Sequence, residues 1–262
     1  MKSRSRPVLL TLLALAIATS RAEGQETLFS QVIGDSADWL VFVHGGMTDH
    51  LDWGAQTEAL CHDFRCLVVD LRGHGRSSGL PGPCDITTMG ADVATTMRAA
   101  GVGRALLIGH SMGTRVVVEA FHASRDLTAG LIFLDGSALA RGDVREAYQA
   151  AQDLIASQGM EATWQGLTRG VWRPRDPVLA DEIMTRTTST WHRLGQEVIP
   201  NLVAYDAGEL DARLADIDVP MLALASTAAA RPVPDAAPYG QTKTALPTST
   251  ASGPPYPTSR AS

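Results

Sequence analysis

The residues of this chain best suited to covalent chemistry are Gly109-His110-Ser111-Met112-Gly113. They directly follow Ala105 to Ile108, a continuous apolar run of the kind expected for a strand buried on both faces. They lead into Val116 to Phe121, a buried helical pattern. A G-x-S-x-G sequence between strand and helix is a nucleophile elbow. Its logic is steric: the serine takes a tight turn with strained backbone angles, and the flanking glycines let neighbouring segments approach closely. The hydroxyl then projects above the carboxyl edge of the sheet, where ligands bind in such folds. The helix start aims backbone N–H groups at developing negative charge. The competing reading is a chance match in a helix-capping turn; the strand before and the helix after favour the elbow.

Two further stretches belong to the same edge. His44-Gly45-Gly46 ends the apolar run Trp39 to Val43, where a glycine-rich backbone can offer an N–H to a substrate oxyanion together with that of Met112. Asp70-Leu71-Arg72-Gly73-His74-Gly75-Arg76-Ser77 follows the run Cys66 to Val69. It could bind an anion, but charged turn residues are commonly structural, and a rigid glycine turn with Asp70 paired to Arg72 is the preferred reading.

These residues need a scaffold of alternating strands and helices. Thr27 to Ile33, Trp39 to Val43, Cys66 to Val69, Ala105 to Ile108, Gly130 to Leu134 and Val219 to Ala225 read as strands. Leu51 to Leu60 is helix-like, and Met89, Val93 and Met97 form one face of a helix. Residues 71–85 form a loop. The alternation predicts an α/β fold with a mostly parallel sheet and right-handed crossovers. From Arg141 to Asn201 the pattern is helical throughout, a lid-like insertion carrying Trp164, Trp172 and Trp191. These tryptophans either roof an apolar pocket or form the lid's own core.

The ordered set His44-Gly45 to Trp53, Asp70-Leu-Arg-Gly-His-Gly-Arg-Ser77 and Gly109-His-Ser-Met-Gly113 resembles that of the α/β-hydrolase superfamily, in its capped, esterase-like branch. The likeness spans about Glu26 to Ser226. It implies an α/β-hydrolase fold with a helical lid at about 141–201 and a serine hydrolase acting on a small ester or related acyl substrate. By the same resemblance Ser111 is the nucleophile, and Gly46 and Met112 are the oxyanion-hole donors. Asp135, which closes the strand Gly130 to Leu134, is the candidate acid; a helix N-cap or loop-bonding role for it stays open. Asp235 is a weaker choice. No metal or organic cofactor is implied.

The resemblance breaks at the C-terminal end. The family's base is a histidine after the last strand, and here histidines stand only at 44, 50, 62, 74, 110, 122 and 192. His192 in the lid lacks the usual orienting acid. The family's last strand and helix are replaced by residues 227–262, where seven of the 14 prolines fall and no Ile, Phe, Met or Trp occurs. Such composition predicts disorder, and the missing strand predicts an exposed sheet edge. A catalytically silent relative is therefore the alternative reading.

Composition narrows the partners. With 262 residues, 45% hydrophobic and 19% charged, the chain can form one large domain. A net charge of −6 argues against nucleic acid and anionic membranes. Lys2, Arg4 and Arg6 precede an apolar run from Val8 to Ala18, followed by small residues up to Ala22. Residues 1–22 thus read as a secretory signal, since the run falls short of the ~20 residues that span a bilayer; a start codon assigned too early is the alternative. The chain is then secreted or periplasmic, and otherwise cytoplasmic. Three cysteines, at 61, 66 and 84, cannot be a complete internal disulfide set; Cys61 and Cys66, flanking a helix-to-strand turn, read as small buried fillers.

Overall fold

Apolar runs without alternation become the interior strands of one twisted sheet. The computed structural model describes residues 27–136, 138–168, 177–187 and 194–225. Among these, six strands are ordered β1-β3-β2-β4-β5-β6. They are β1 (Ser30–Ile33), β2 (Trp39–Val43), β3 (Arg65–Val69), β4 (Ala105–His110), β5 (Thr128–Leu134) and β6 (Met221–Leu224). β1 runs antiparallel to β3, and every other pairing is parallel. Every residue of β2 is buried, as a central strand covered on both faces must be.

Strand periodicity divides the core into two layers. Val41, Val43, Leu67, Val69 and Leu107 face helices α2 (Ile86–Ala99) and α3 (Gly113–Ala123), meeting Met89, Val93, Met97, Val116, Val117 and Phe121. Leu40, Phe42, Cys66, Val68 and Ile108 face the other way, toward Trp53, Cys61 and Leu60 of α1 (Gly54–Leu60). The helices that follow β2 and β4 therefore lie on opposite faces. That places the topological switch, and the crevice it opens, between the carboxyl ends of these two strands.

The expected strand Val219 to Ala225 shortens to Met221–Leu224. Pro220 has no N–H for the ladder; it contributes only its carbonyl, to the Leu131 N–H at 2.9 Å. β6 forms an edge of the described sheet, with Met221, Leu222 and Leu224 exposed.

Between β5 and β6 the described residues are helical, with no strand. α4 (Val144–Thr168) breaks at Gly159, whose φ is 82°. α5 (Pro177–Thr187), a π-helical turn (Leu194–Val198), α6 (Ile199–Gly208) and α7 (Leu210–Ala215) follow. Arg186 of α5 lies 3.0 Å from Asp49 and 2.5 Å from Asp52, and Glu197 accepts the Cys84 N–H at 3.0 Å. The insertion thus rests on the loops that leave the carboxyl ends of β2 and β3. Residues 1–22, Trp172, Trp191, His192, Asp235, residues 227–262 and the side chain of Trp164 lie outside the described residues. Among the described residues no helix is long and apolar enough to cross a membrane.

The cysteines correct the filler reading. Cys61 and Cys66 form a disulfide across the α1–β3 turn, with Cα atoms 5.8 Å apart, and Cys84 is buried outside any disulfide. A thiol pair five residues apart looks like two fillers until the turn folds back on itself. Reducing this bridge is expected to lower the unfolding free energy by about 2 kcal/mol, the loop entropy returned to the unfolded chain. Urea midpoints with and without dithiothreitol measure it, and equal midpoints would contradict it.

Candidate active site

Ser111 stands where the motif placed it, between β4 and α3. Its φ is +49°, a left-handed conformation rare for a residue with a side chain, and the residue is exposed. Its N–H donates to Leu134 O at 2.9 Å, pinning the elbow to the end of β5.

The glycines explain how the turn fits. A Cβ on Gly109 would lie 2.3 Å from Gly113 O, and one on Gly113 would lie 2.4 Å from Val43 O and 2.6 Å from His44 O. These atoms are backbone, fixed by β2 and the start of α3, so they cannot step aside. Gly113→Ala is expected to cost about 3 kcal/mol or more. Gly54→Ala, at a site with no neighbour within 4 Å, should be neutral or slightly stabilising. Thermal melts of the two variants compare them; equal melting temperatures would show that the elbow has slack.

The proposed oxyanion donors meet here. A Cβ on Gly45 would lie 3.3 Å from Ser111 Cβ, and one on Gly46 would lie 3.6 Å from Met112 Sδ. Among the described residues, neither the Gly46 nor the Met112 N–H takes part in the backbone hydrogen bonds that close the surrounding turns. Met112 is the N-cap residue of α3, so the helix dipole adds to its N–H.

Asp135 also reaches this edge. It follows β5, has φ +48°, and its N–H donates to Leu224 O at 2.9 Å. The start of α4 is capped by Asp143, which accepts the Arg145 and Glu146 N–H groups.

His44 and His74, near the edge, are committed to other partners. His44 Nε2 accepts the Leu71 N–H at 2.9 Å, which leaves its proton on Nδ1, 2.7 Å from Gly45 O. Burial lowers its pKa to about 4. His74 is likewise buried, and burial lowers its pKa to about 3. Burial also lowers that of His110, against the opposing pull of Asp52 and Asp135. Among the described residues no imidazole hydrogen-bonds the Ser111 hydroxyl.

The loop after β3 corrects another expectation. Arg72 does not pair with Asp70; its guanidinium forks onto Asp92 of α2 at 2.7 and 2.8 Å. Asp70 instead accepts from His50 N, His50 Nδ1 and Arg76 N, at 2.7 to 2.8 Å. The loop wraps around this carboxylate so closely that a Cβ on Gly75 would lie 2.5 Å from it. Sequence neighbours at i and i+2 point apart here, and only the fold reveals the partner on α2. Asp49, His50 and Asp70 bring three ligand-type atoms together. Asp49 accepts the Leu51 N–H and faces Arg186, and Asp70 accepts from His50 and Arg76.

The comparisons agree with the fold. The model of the α/β hydrolase family matches residues 40–251, and the chain belongs to that family. RutD of Azorhizobium caulinodans, whose name assigns it carbamate hydrolysis, is 30% identical over 211 residues, covering 74% of this chain and 78% of that protein. The solved enol-lactonase of Burkholderia xenovorans LB400 is 28% identical with a TM-score of 0.64, covering 76% of this chain and 78% of that one. An esterase of Thermogutta terrifontis is 27% identical with a TM-score of 0.60, covering 76% and 74%. Fold, family and relatives together identify the chain as an α/β-hydrolase enzyme.

Proposed function

We propose that the protein is a serine hydrolase of small ester or related acyl substrates, with Ser111 as nucleophile. The observation that carries this reading is the exposed, left-handed Ser111 at the β4–α3 elbow. The carbamate, enol-lactone and ester bonds named for the relatives share an electrophilic carbonyl, which fits a serine nucleophile. Ser111 Oγ attacks that carbonyl and releases its proton to solvent, while the Gly46 and Met112 N–H groups bind the oxyanion. Collapse expels the alkoxide, which takes a proton from solvent and leaves as the alcohol; water then attacks the acyl-enzyme, freeing the acid and returning a proton to Ser111 Oγ. Asp135 is the acid of the site. The helical insertion at about 141–201 serves as the lid, a role that suits its ties to Asp49, Asp52 and Cys84.

The catalytically silent relative is the second reading. It is favoured by the absence, among the described residues, of an imidazole hydrogen-bonded to the Ser111 hydroxyl. A fluorophosphonate probe separates the two. Labelling of the wild type that is lost in Ser111→Ala supports the hydrolase; a folded wild type that takes no label supports the silent relative.

We further propose that the chain is exported. The leader pattern of residues 1–22 and the Cys61–Cys66 disulfide both suit an oxidising compartment. Recovery of a processed chain from the periplasm or medium tests this, and an intact N-terminus in the cytosol would refute it.

A further inference from the structure

The carbonyl oxygen of Ser111 collects three donors. Thr114 N–H lies at 3.1 Å, Thr114 Oγ1 at 2.7 Å and an Arg115 guanidinium nitrogen at 3.0 Å. The last is charge-assisted and roughly twice as strong as a neutral bond. Arg115 is 2% exposed, and its remaining face forks onto Asp206 of α6, both bonds at 2.9 Å. Asp206, 4% exposed, also accepts the Leu139 N–H at 2.6 Å. One buried charge pair therefore joins the elbow, the segment that follows Asp135, and helix α6.

A second link lies one turn along α3. Tyr205 donates to Glu119 at 2.6 Å, and Arg213 reaches the same carboxylate at 3.0 Å. This link ties α3 to α6 and α7 without touching the elbow. Burying an ion pair rarely adds stability over an apolar pair of similar volume, because desolvation offsets the attraction. Tyr205 and Glu119 tie α6 to α3 as well. What the Arg115–Asp206 pair adds to that link is a hold on the Ser111 carbonyl.

We propose that Arg115 and Asp206 are positioning residues that keep the Ser111 backbone in its left-handed conformation and make that conformation depend on the seating of α6. The catalytic consequence rests on the reading of Ser111 as nucleophile; the conformational one does not. The fork requires a planar guanidinium, so lysine is not an equivalent substitute.

The test compares Arg115→Lys, Asp206→Asn and the control Tyr205→Phe, using full-length protein. The first two are expected to lower kcat for 4-nitrophenyl acetate by about 10- to 100-fold with KM nearly unchanged, as small misplacements do. They should slow fluorophosphonate labelling per folded molecule to a similar extent. They should also speed hydrogen exchange at the Thr114 and Arg115 amides at least about tenfold while β2 and β3 stay protected. Tyr205→Phe should lower the melting temperature and leave labelling and elbow exchange unchanged. Wild-type labelling and wild-type elbow exchange in folded Arg115→Lys would overturn the proposal. If the single variants fail to fold, Arg115→Met with Asp206→Leu removes both buried charges, and its elbow exchange decides. A wild type that takes no phosphonate removes the nucleophile reading, while the exchange comparison still decides the positioning role.

Discussion

Ser111→Ala is expected to abolish fluorophosphonate labelling and to reduce turnover of a small aryl ester by about a hundredfold or more, to the level that oxyanion binding alone sustains. The size of the loss follows from what the hydroxyl does. It supplies the bond-forming electron pair, and no neighbouring side chain among the described residues can replace it at the elbow. His44 and Asp70 are held by internal hydrogen bonds, and Met112 turns a thioether into the core. Stability should barely change, since the side chain is exposed and makes no bond that holds the turn. Steady-state kinetics beside a thermal melt measure both quantities. A loss below tenfold with an unchanged melt would place the chemistry elsewhere.

The second large effect is acid lability. His44 and His74 are both fully buried, with ring centroids 5.0 Å apart. His44 has no room for a second proton, because its Nε2 already faces the Leu71 N–H. His74 Nε2 is buried with no hydrogen-bond partner among the described residues, so a proton there would be unsatisfied. Burial lowers their pKa values from 6.5 to about 4 and about 3. The folded state therefore binds fewer protons than the unfolded one below pH 6.5, and stability falls with pH until each folded pKa is reached. Between pH 7 and pH 5 the two imidazoles together should cost about 4 kcal/mol, a large share of a typical folding free energy. Urea unfolding at these two pH values checks the magnitude. His74→Asn should roughly halve the slope, and a wild-type stability that is flat from pH 7 to pH 5 would contradict the argument.

The two outcomes are independent. Loss of the hydroxyl alters rate and leaves stability, whereas protonation of His44 or His74 alters stability by disturbing the ends of β2 and β3. A protein that fails the first and passes the second would have the fold of the family with a different site.

Much of this architecture was legible in the chain itself. The elbow could be placed on Ser111 because a strand-forming run, two glycines and a helix-forming run are all local features, and their order alone implies the turn. The strands, the α2 face of Met89, Val93 and Met97, and the helical insertion were legible for the same reason: each is a short-range pattern of apolar residues. The partners of charged and sulfur-bearing side chains were not. Arg72 reaches Asp92 rather than Asp70, Cys61 reaches Cys66, and Arg115 reaches Asp206, ninety-one positions away. Local spacing sets which way a backbone turns, but a guanidinium or a thiol pairs with whatever the packed layers bring within a few ångströms. That choice belongs to the tertiary structure, and here it decides what holds the serine in place.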